Sequence, residues 1–363
     1  MTGIKYSLAA IFLVVTIVVS AFAPVTLAAE PGLAEFKSEL ELIGLGSCVH
    51  QDQDQSVWRA VVQTKPQLFL LLGDNIYAQT EDMALMAERY NKLRSQPGFI
   101  QLRQTSRVLS IWDDNDYGLT DGGAEYSKKE ESQKLFLNAF EIPKSDPRWA
   151  RPGIYRSYLF GPETRRIQLL LLDTRYFRSP LKRAALPLFA GKGPYLPNAD
   201  PQATILGEAQ WSWLKEQLET PATLRLIASS IQVIADEHGY ETWGNFPVER
   251  ERLYQLLRKA GRVLIVSGDR HHSEISRIEL PGSGNFLYDI TASSLNMNRM
   301  DGLEPNRFRL GKQELRANFV LLRLGWKDSI PSVTTEVRST EGKLYQQNYL
   351  PWSPAEDSPA KQN

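Results

Sequence analysis

Five short apolar runs constrain this chain more than any other feature. They are LFLLLGDN (68–75), RVLSIWDD (107–114), IQLLLLDTR (167–175), LRLIASS (224–230) and RVLIVSGDRHH (262–272). None alternates cleanly between apolar and polar residues, so each predicts a strand buried on both faces. Helical patterns lie between them. SVWRAVVQ precedes the first run and MALMAERYNKLRS follows it; EAQWSWLKEQLE (208–219) leads to the fourth, and VERERLYQLLRKAG (248–261) leads to the fifth, with Gly261 as a helix stop. Alternating strand and helix predicts an α/β architecture with helices covering the sheets. From Phe319 a strand-like pattern returns, FVLLRLGW then SVTTEVRS, read as an edge hairpin or a small C-terminal β segment.

Each run closes on polar residues: Asp74, Asp113–Asp114–Asn115, Asp173, Ser229–Ser230, and Asp269 with His271. In α/β sheets the ligand crevice lies at the carboxyl ends of the strands, so five such ends are expected to converge on one site. Asp and Asn also favour turns, which is the plainer reading of any single end.

The flanks differ in character. After Lys5 the run YSLAAIFLVVTIVVSAFA leads into PVTLAAE, with small residues at Thr26, Ala28 and Ala29. A positive start, an apolar middle and small residues are the layout of a secretory signal, and the run is almost long enough to span a bilayer. Residues 1–29 are therefore read as a signal peptide or an N-terminal membrane anchor. The main domain, 38–350, is expected outside the cytoplasm, secreted or periplasmic, with any membrane attachment made through that first segment. Residues 178–205, rich in Pro and Gly, are expected to cross the surface as a lid. The polar, Pro-rich tail, 351–363, is expected to be disordered. Lys plus Arg and Asp plus Glu number 42 each, which leaves no basic surplus for a nucleic-acid backbone.

Cys48 is the only cysteine, although cysteines outside the cytoplasm usually pair. Taken alone it reads as a small buried hydrophobe, an intermolecular disulfide, a reactive thiol or a metal ligand. The other strand ends favour the last reading. Cys48-Val49-His50, Gly73-Asp74-Asn75-Ile76-Tyr77, Trp112 to Tyr117 and Gly268 to His272 offer thiolate, carboxylate, phenolate, amide oxygen and imidazole. Thiolate and imidazole suit softer or borderline metals, whereas carboxylate and amide oxygen suit harder ones. The mixture points to two unlike metals sharing a bridging carboxylate, and a phenolate beside a thiolate suits a ferric ion.

In order and spacing, GSC (46–48), LGDNIY (72–77), WDDNDYG (112–118), LDTRYFR (172–178), SSIQ (229–232), ETWGNFPVER (241–250) and SGDRHHS (267–273) resemble the PhoD-like alkaline phosphatases, within the calcineurin-like binuclear metallophosphatases. The likeness covers residues 42–300. It implies a β-sandwich of mixed sheets flanked by helices. It implies that Cys48, Asp74, Tyr77 and His271 hold an iron-type ion, that Asp74 bridges to a second, calcium-like or other divalent ion, and that Asn115, Glu241 and Asp269 are candidates for that second site. A metal-bound hydroxide is then expected to attack a phosphate mono- or diester in line. Arg270 and Arg175 are the candidate phosphate contacts. His272 or His238 is the candidate to protonate the leaving group, and His50 stays open between ligand, support and loop residue. Asn115 stands where many members have His, and Thr120 where many have Asn, so a member that has lost activity also stays open. Outside the family, the competing reading is a non-catalytic extracytoplasmic solute- or phosphate-binding protein. No G-x-S-x-G elbow supports a serine hydrolase.

Overall fold

The computed structural model describes residues 34–185, 192–297 and 302–357. Along the chain the strands are β1 (Ala34–Phe36), β2 (Leu42–Gly46), β3 (Leu68–Leu72), β4 (Arg107–Ile111), β5 (Arg156–Phe160), β6 (Ile167–Leu171), β7 (Lys182–Arg183) and β8 (Tyr195–Leu196). They continue as β9 (Leu224–Ala228), β10 (Val263–Ser267), β11 (Ser273–Glu279), β12 (Phe286–Ala292), β13 (Arg309–Glu314), β14 (Asn318–Lys327), β15 (Ile330–Ser339) and β16 (Leu344–Tyr349). The helices are α1 (Val57–Thr64), α2 (Met83–Arg94), α3 (Pro97–Thr105), α4 (Asp114–Tyr117), α5 (Lys129–Ala139), α6 (Gly207–Leu218) and α7 (Pro247–Leu257).

All five apolar runs form strands, namely β3, β4, β6, β9 and β10. They divide between two mixed sheets. One has the order β1-β5-β6-β9-β10-β12-β11-β13 and the other β16-β15-β14-β2-β3-β4. The catalytically suggestive strands run parallel within each sheet: β2, β3 and β4 in one, and β6, β9 and β10 in the other. Their carboxyl ends therefore share an edge of their sheet.

The absence of alternation in the runs has a direct cause. In the larger sheet Leu169, Leu171, Leu226, Ala228, Leu264 and Val266 face the core shared with the smaller sheet. Their neighbours Leu170, Ile227, Val263 and Ile265 face a second core with Trp211, Leu214, Leu253 and Leu257 of α6 and α7. Both faces are apolar because both are covered. On the smaller sheet, Trp58 of α1 packs edge-on to Phe69 of β3 and against Phe99 of α3.

The C-terminal strands pair as an antiparallel hairpin, β14 with β15, and β14 also pairs with β2. They thus extend the sheet that carries Cys48. The expectation of a disordered tail is corrected for residues 351–357. Trp352 is 2% exposed, its Nε1 donates to the Pro331 carbonyl at 2.6 Å, and its own carbonyl accepts from Phe286 N at 2.8 Å. Burying one indole outweighs the polar composition around it. Residues 1–33 and 358–363 lie outside the described residues, as do 186–191 of the expected lid. The described flanks of that loop pair as β7 with β8. Among the described residues, no helix is long and apolar enough to cross a membrane.

Candidate metal centre

Cys48 follows β2, Asp74 follows β3, Asp113 to Asn115 follow β4, and Asp269 and His271 follow β10. Four of these, Cys48 (φ 57°), Asp74 (φ 51°), Asp269 (φ 69°) and His271 (φ 55°), have left-handed backbone. Side-chain residues avoid that region at a cost of about 1–3 kcal/mol each, and they persist there where the surroundings over-determine them. Two glycines allow the close approach. A Cβ on Gly73 (φ 100°) would lie 2.5 Å from the Asp113 Cβ, and one on Gly268 would lie 2.7 Å from both the Leu72 carbonyl and Ser47 Oγ. Glycine is thus required where strand ends press together, within one sheet at Gly73 and between the two sheets at Gly268.

The ligand atoms of Cys48, Asp74 and His271 lie within 4.8 Å of one another, as do those of Asp74, Asp113 and Asp114. Asp74 belongs to both groups. Its Oδ2 is 3.6 Å from Cys48 Sγ, 3.3 Å from the Tyr77 hydroxyl and 2.9 Å from Asn115 Nδ2. The Tyr77 hydroxyl is 2.9 Å from His271 Nε2. The structure therefore brings Cys48, Asp74, Tyr77, His271 and Asn115 together. Asp269 is close enough for its charge to raise both the Cys48 thiol and Asp113.

The protonation tendencies share one cause. Burial pushes Cys48 up to about 11, against hydrogen bonds from Ser293 and Ser47. Burial, then the neighbouring Cys48, Asp114 and Asp113, pushes Asp74 well above the carboxylate range. Burial likewise raises Tyr77, Asp113 and Asp114, with Arg175 opposing it at the two aspartates. Acidic groups crowded out of water resist ionisation until a cation answers their charge. Two buried oxygens, Asn115 Oδ1 and Asp113 Oδ2, also have no hydrogen-bond partner among the described residues. Buried polar atoms rarely stay unpaired without a reason. Donor types, charge crowding and orphaned oxygens all fit bound metal ions.

Several expected roles are corrected. Arg175 is fully buried; its Nε donates to Asp113 Oδ1 at 2.6 Å and its Nη1 lies 2.6 Å from Glu241 Oε2. It is a structural cation, not a phosphate contact. Glu241 is no second-site oxygen, because its other carboxylate atom lies 2.8 Å from Arg178 Nε. Arg270 is engaged by Asp269 at 3.1 Å and by Glu304, and stacks over Tyr240. His272 is fully buried with Nε2 3.6 Å from Glu274 Oε1. His238 is also buried, accepting at Nδ1 from Tyr240 N and meeting Gln232 Oε1 at Nε2, both at 3.1 Å. Both histidines are fully enclosed by the protein. Thr120 is exposed, and Asp113 and Asp114 supply the oxygens beside Asp74. Two of the five strand ends serve as supports. Asp173 Oδ1 accepts from Trp112 Nε1, Arg175 N and Tyr176 N, each at 2.9 Å, and the Ser230 hydroxyl donates to Asp113 Oδ1 at 2.6 Å.

Two positioning residues were missed. Ser293 Oγ accepts from His271 N at 2.8 Å, which leaves its proton for Cys48 Sγ at 3.0 Å. The run FLYDITASS closes on Ser293 as the other runs close on their polar ends, so the same rule finds it. Asp116 accepts from the N–H groups of Asp113 (2.6 Å), Asp74 (3.2 Å) and Asn75 (3.3 Å), tying the ends of β3 and β4 together.

Against known proteins, residues 87–319 match the family described as PhoD-like phosphatase, more than half of the 363-residue chain. The structure of PhoD is similar at TM-score 0.65 and 16% identity, over 88% of this chain and 70% of that one. Purple acid phosphatase PPD1 from yellow lupin (Lupinus luteus) is similar at TM-score 0.59 and 10% identity, over 88% of this chain and 55% of that one. GAP50, the anchor in the inner membrane complex of Plasmodium, is similar at TM-score 0.56 and 13% identity, over 87% and 90%. No curated protein sequence gives a significant match. These likenesses carry the fold, while the family match carries the chemistry and covers Asn115, Asp269 and His271; Cys48, Asp74 and Tyr77 join them through β2 and β3. The chain belongs to the PhoD-like phosphatases and is a metal-dependent phosphatase.

Proposed function

We propose that the protein is an extracytoplasmic phosphoesterase acting on phosphate mono- or diesters. One observation carries the reading: Asp74 belongs to two ligand clusters at once, one with the Cys48 thiol and the His271 imidazole, joined by the Tyr77 phenol, and one with the Asp113 and Asp114 carboxylates, beside the Asn115 amide. The first set, Cys48, Tyr77, His271 and Asp74, suits iron; the second, Asp74, Asp113, Asp114, Asn115 and Asp269, suits calcium or another hard divalent ion. Bound there, the two ions supply Lewis acidity that activates water and neutralises charge on the phosphoryl oxygens. The chain's own part is to fix the donors. Asn115 holds Asp74 through its amide N–H at 2.9 Å, leaving its oxygen free to turn toward a cation. Ser293 orients the thiol, and Arg175 with Ser230 fixes Asp113. Export is supported by the apolar stretch after Lys5, and it accords with a single cysteine held as a ligand and so needing no disulfide partner.

The test is elemental analysis of wild type and Cys48→Ala, with monoester and diester hydrolysis assayed on the same samples. About one transition-metal ion per chain, lost together with activity in the variant, is expected. A wild type that stays inactive after reconstitution with iron and calcium overturns the reading. N-terminal sequencing of protein recovered from cell fractions tests export separately.

A further inference from the structure

We infer that His50 is a substrate-contacting residue, donating its Nε2–H to a phosphoryl oxygen at the rim of the metal centre. The inference rests on the phosphoesterase reading and assigns it one more residue. His50 stacks on Tyr77 with ring centroids 4.9 Å apart and planes 21° from parallel. That placement is built from several sides. Asn296 clamps the His50 backbone, its Oδ1 accepting from His50 N at 2.7 Å and its Nδ2 donating to His50 O at 3.0 Å. Gln51 clamps the Tyr77 backbone in the same manner, at 2.8 Å and 3.2 Å. Asp52 N donates to His50 Nδ1 at 3.1 Å, and the Asp52 carboxylate is pinned by Arg89 and Lys92 of α2.

With Nδ1 an acceptor, the ring proton of neutral His50 sits on Nε2. Among the described residues that nitrogen meets no hydrogen-bond partner, and the side chain is 25% exposed. Every other fixed point of the ring is satisfied, so this donor is the one group the arrangement leaves available. The surrounding charges explain why a neutral donor is useful. Arg175 and Arg270 are each taken up by two carboxylates. A cation in this carboxylate-rich site pairs off within the protein, whereas a neutral N–H stays free for an incoming phosphoryl oxygen.

The experiment titrates inorganic phosphate into metal-loaded wild type, His50→Gln and His50→Phe by calorimetry. Metal content, kcat and KM for p-nitrophenyl phosphate are measured on the same samples. Loss of one hydrogen bond predicts roughly tenfold weaker phosphate binding and a similar rise in KM for His50→Phe. His50→Gln, whose amide N–H reaches near Nε2, is expected within about threefold of wild type. Metal content is expected unchanged in both. Phosphate binding equal to wild type in His50→Phe overturns the inference. So does metal loss, which makes His50 a ligand, and so does equal weakening in both variants, which shows that the Nε2–H donor is not what holds phosphate. A wild type that binds no phosphate also counts against it. Phosphate binding through His50 in a protein that hydrolyses no ester supports this inference while overturning the phosphoesterase reading.

Discussion

At the scale of single residues, Cys48 shows how little a side chain's type decides. A buried thiol held near pKa 11 is inert, and its chemistry depends on a cation to stabilise the thiolate. Cys48→Ala is therefore expected to weaken transition-metal binding by more than the roughly 10–100-fold cost of losing an outer partner of a ligand. Elemental analysis after dialysis reads this, and full retention of the metal sinks the assignment. Arg175 is the opposite case, a residue read as functional that proves structural. Its guanidinium lies between Asp113 and Glu241 with no exposure. Arg175→Met leaves the buried Asp113 without its counter-charge and Glu241 with Arg178 alone, and is expected to cost about 3–5 kcal/mol. Urea denaturation checks it; a loss below 1 kcal/mol shows that water or another cation takes over.

At the scale of elements, the strands were legible and their ends were not. A continuous apolar run states that both faces of a strand are covered, but not how its last residue turns. The left-handed turns at Cys48, Asp74, Asp269 and His271 are fixed by contacts between β2, β3, β10 and β12. Gly73→Ala places a methyl group 2.5 Å from Asp113 Cβ in a left-handed turn. It is expected to cost about 2–4 kcal/mol and to lower metal stoichiometry, read by thermal unfolding and elemental analysis. The C-terminal tail makes the converse point. Composition marked it as disordered, yet Trp352 fills a site beside β12 and β15. Trp352→Ala is expected to cost about 3–5 kcal/mol; wild-type stability in that variant shows that the docking contributes nothing.

At the scale of the whole molecule, pH acts through groups outside the ligand set as well as within it. Burial, with the charge of Arg270, pulls His238 down to about 4 from 6.5. The unfolded chain takes up its proton below pH 6.5 and the folded protein only near 4, so stability falls as pH drops across that window, by about 3 kcal/mol in total. His238→Gln is expected to remove this part of the acid slope in urea midpoints measured from pH 7.5 to pH 4.5. An unchanged slope assigns the loss to other groups. The sequence by itself determined the five buried strands, the helices read beside them and the polar side-chain types that close those strands, because burial pattern and chemical type are local properties. It did not decide which polar strand end meets which. Asp74, Asp113, Glu241 and Arg175 are similar signals along the chain. Only the pairing of strands placed Asp74 against thiol, phenol and amide, and sealed Glu241 between two arginines. The physical reason is that a buried charge takes its role from whichever counter-charge the fold brings within about 3 Å, and that distance is not written in any one segment.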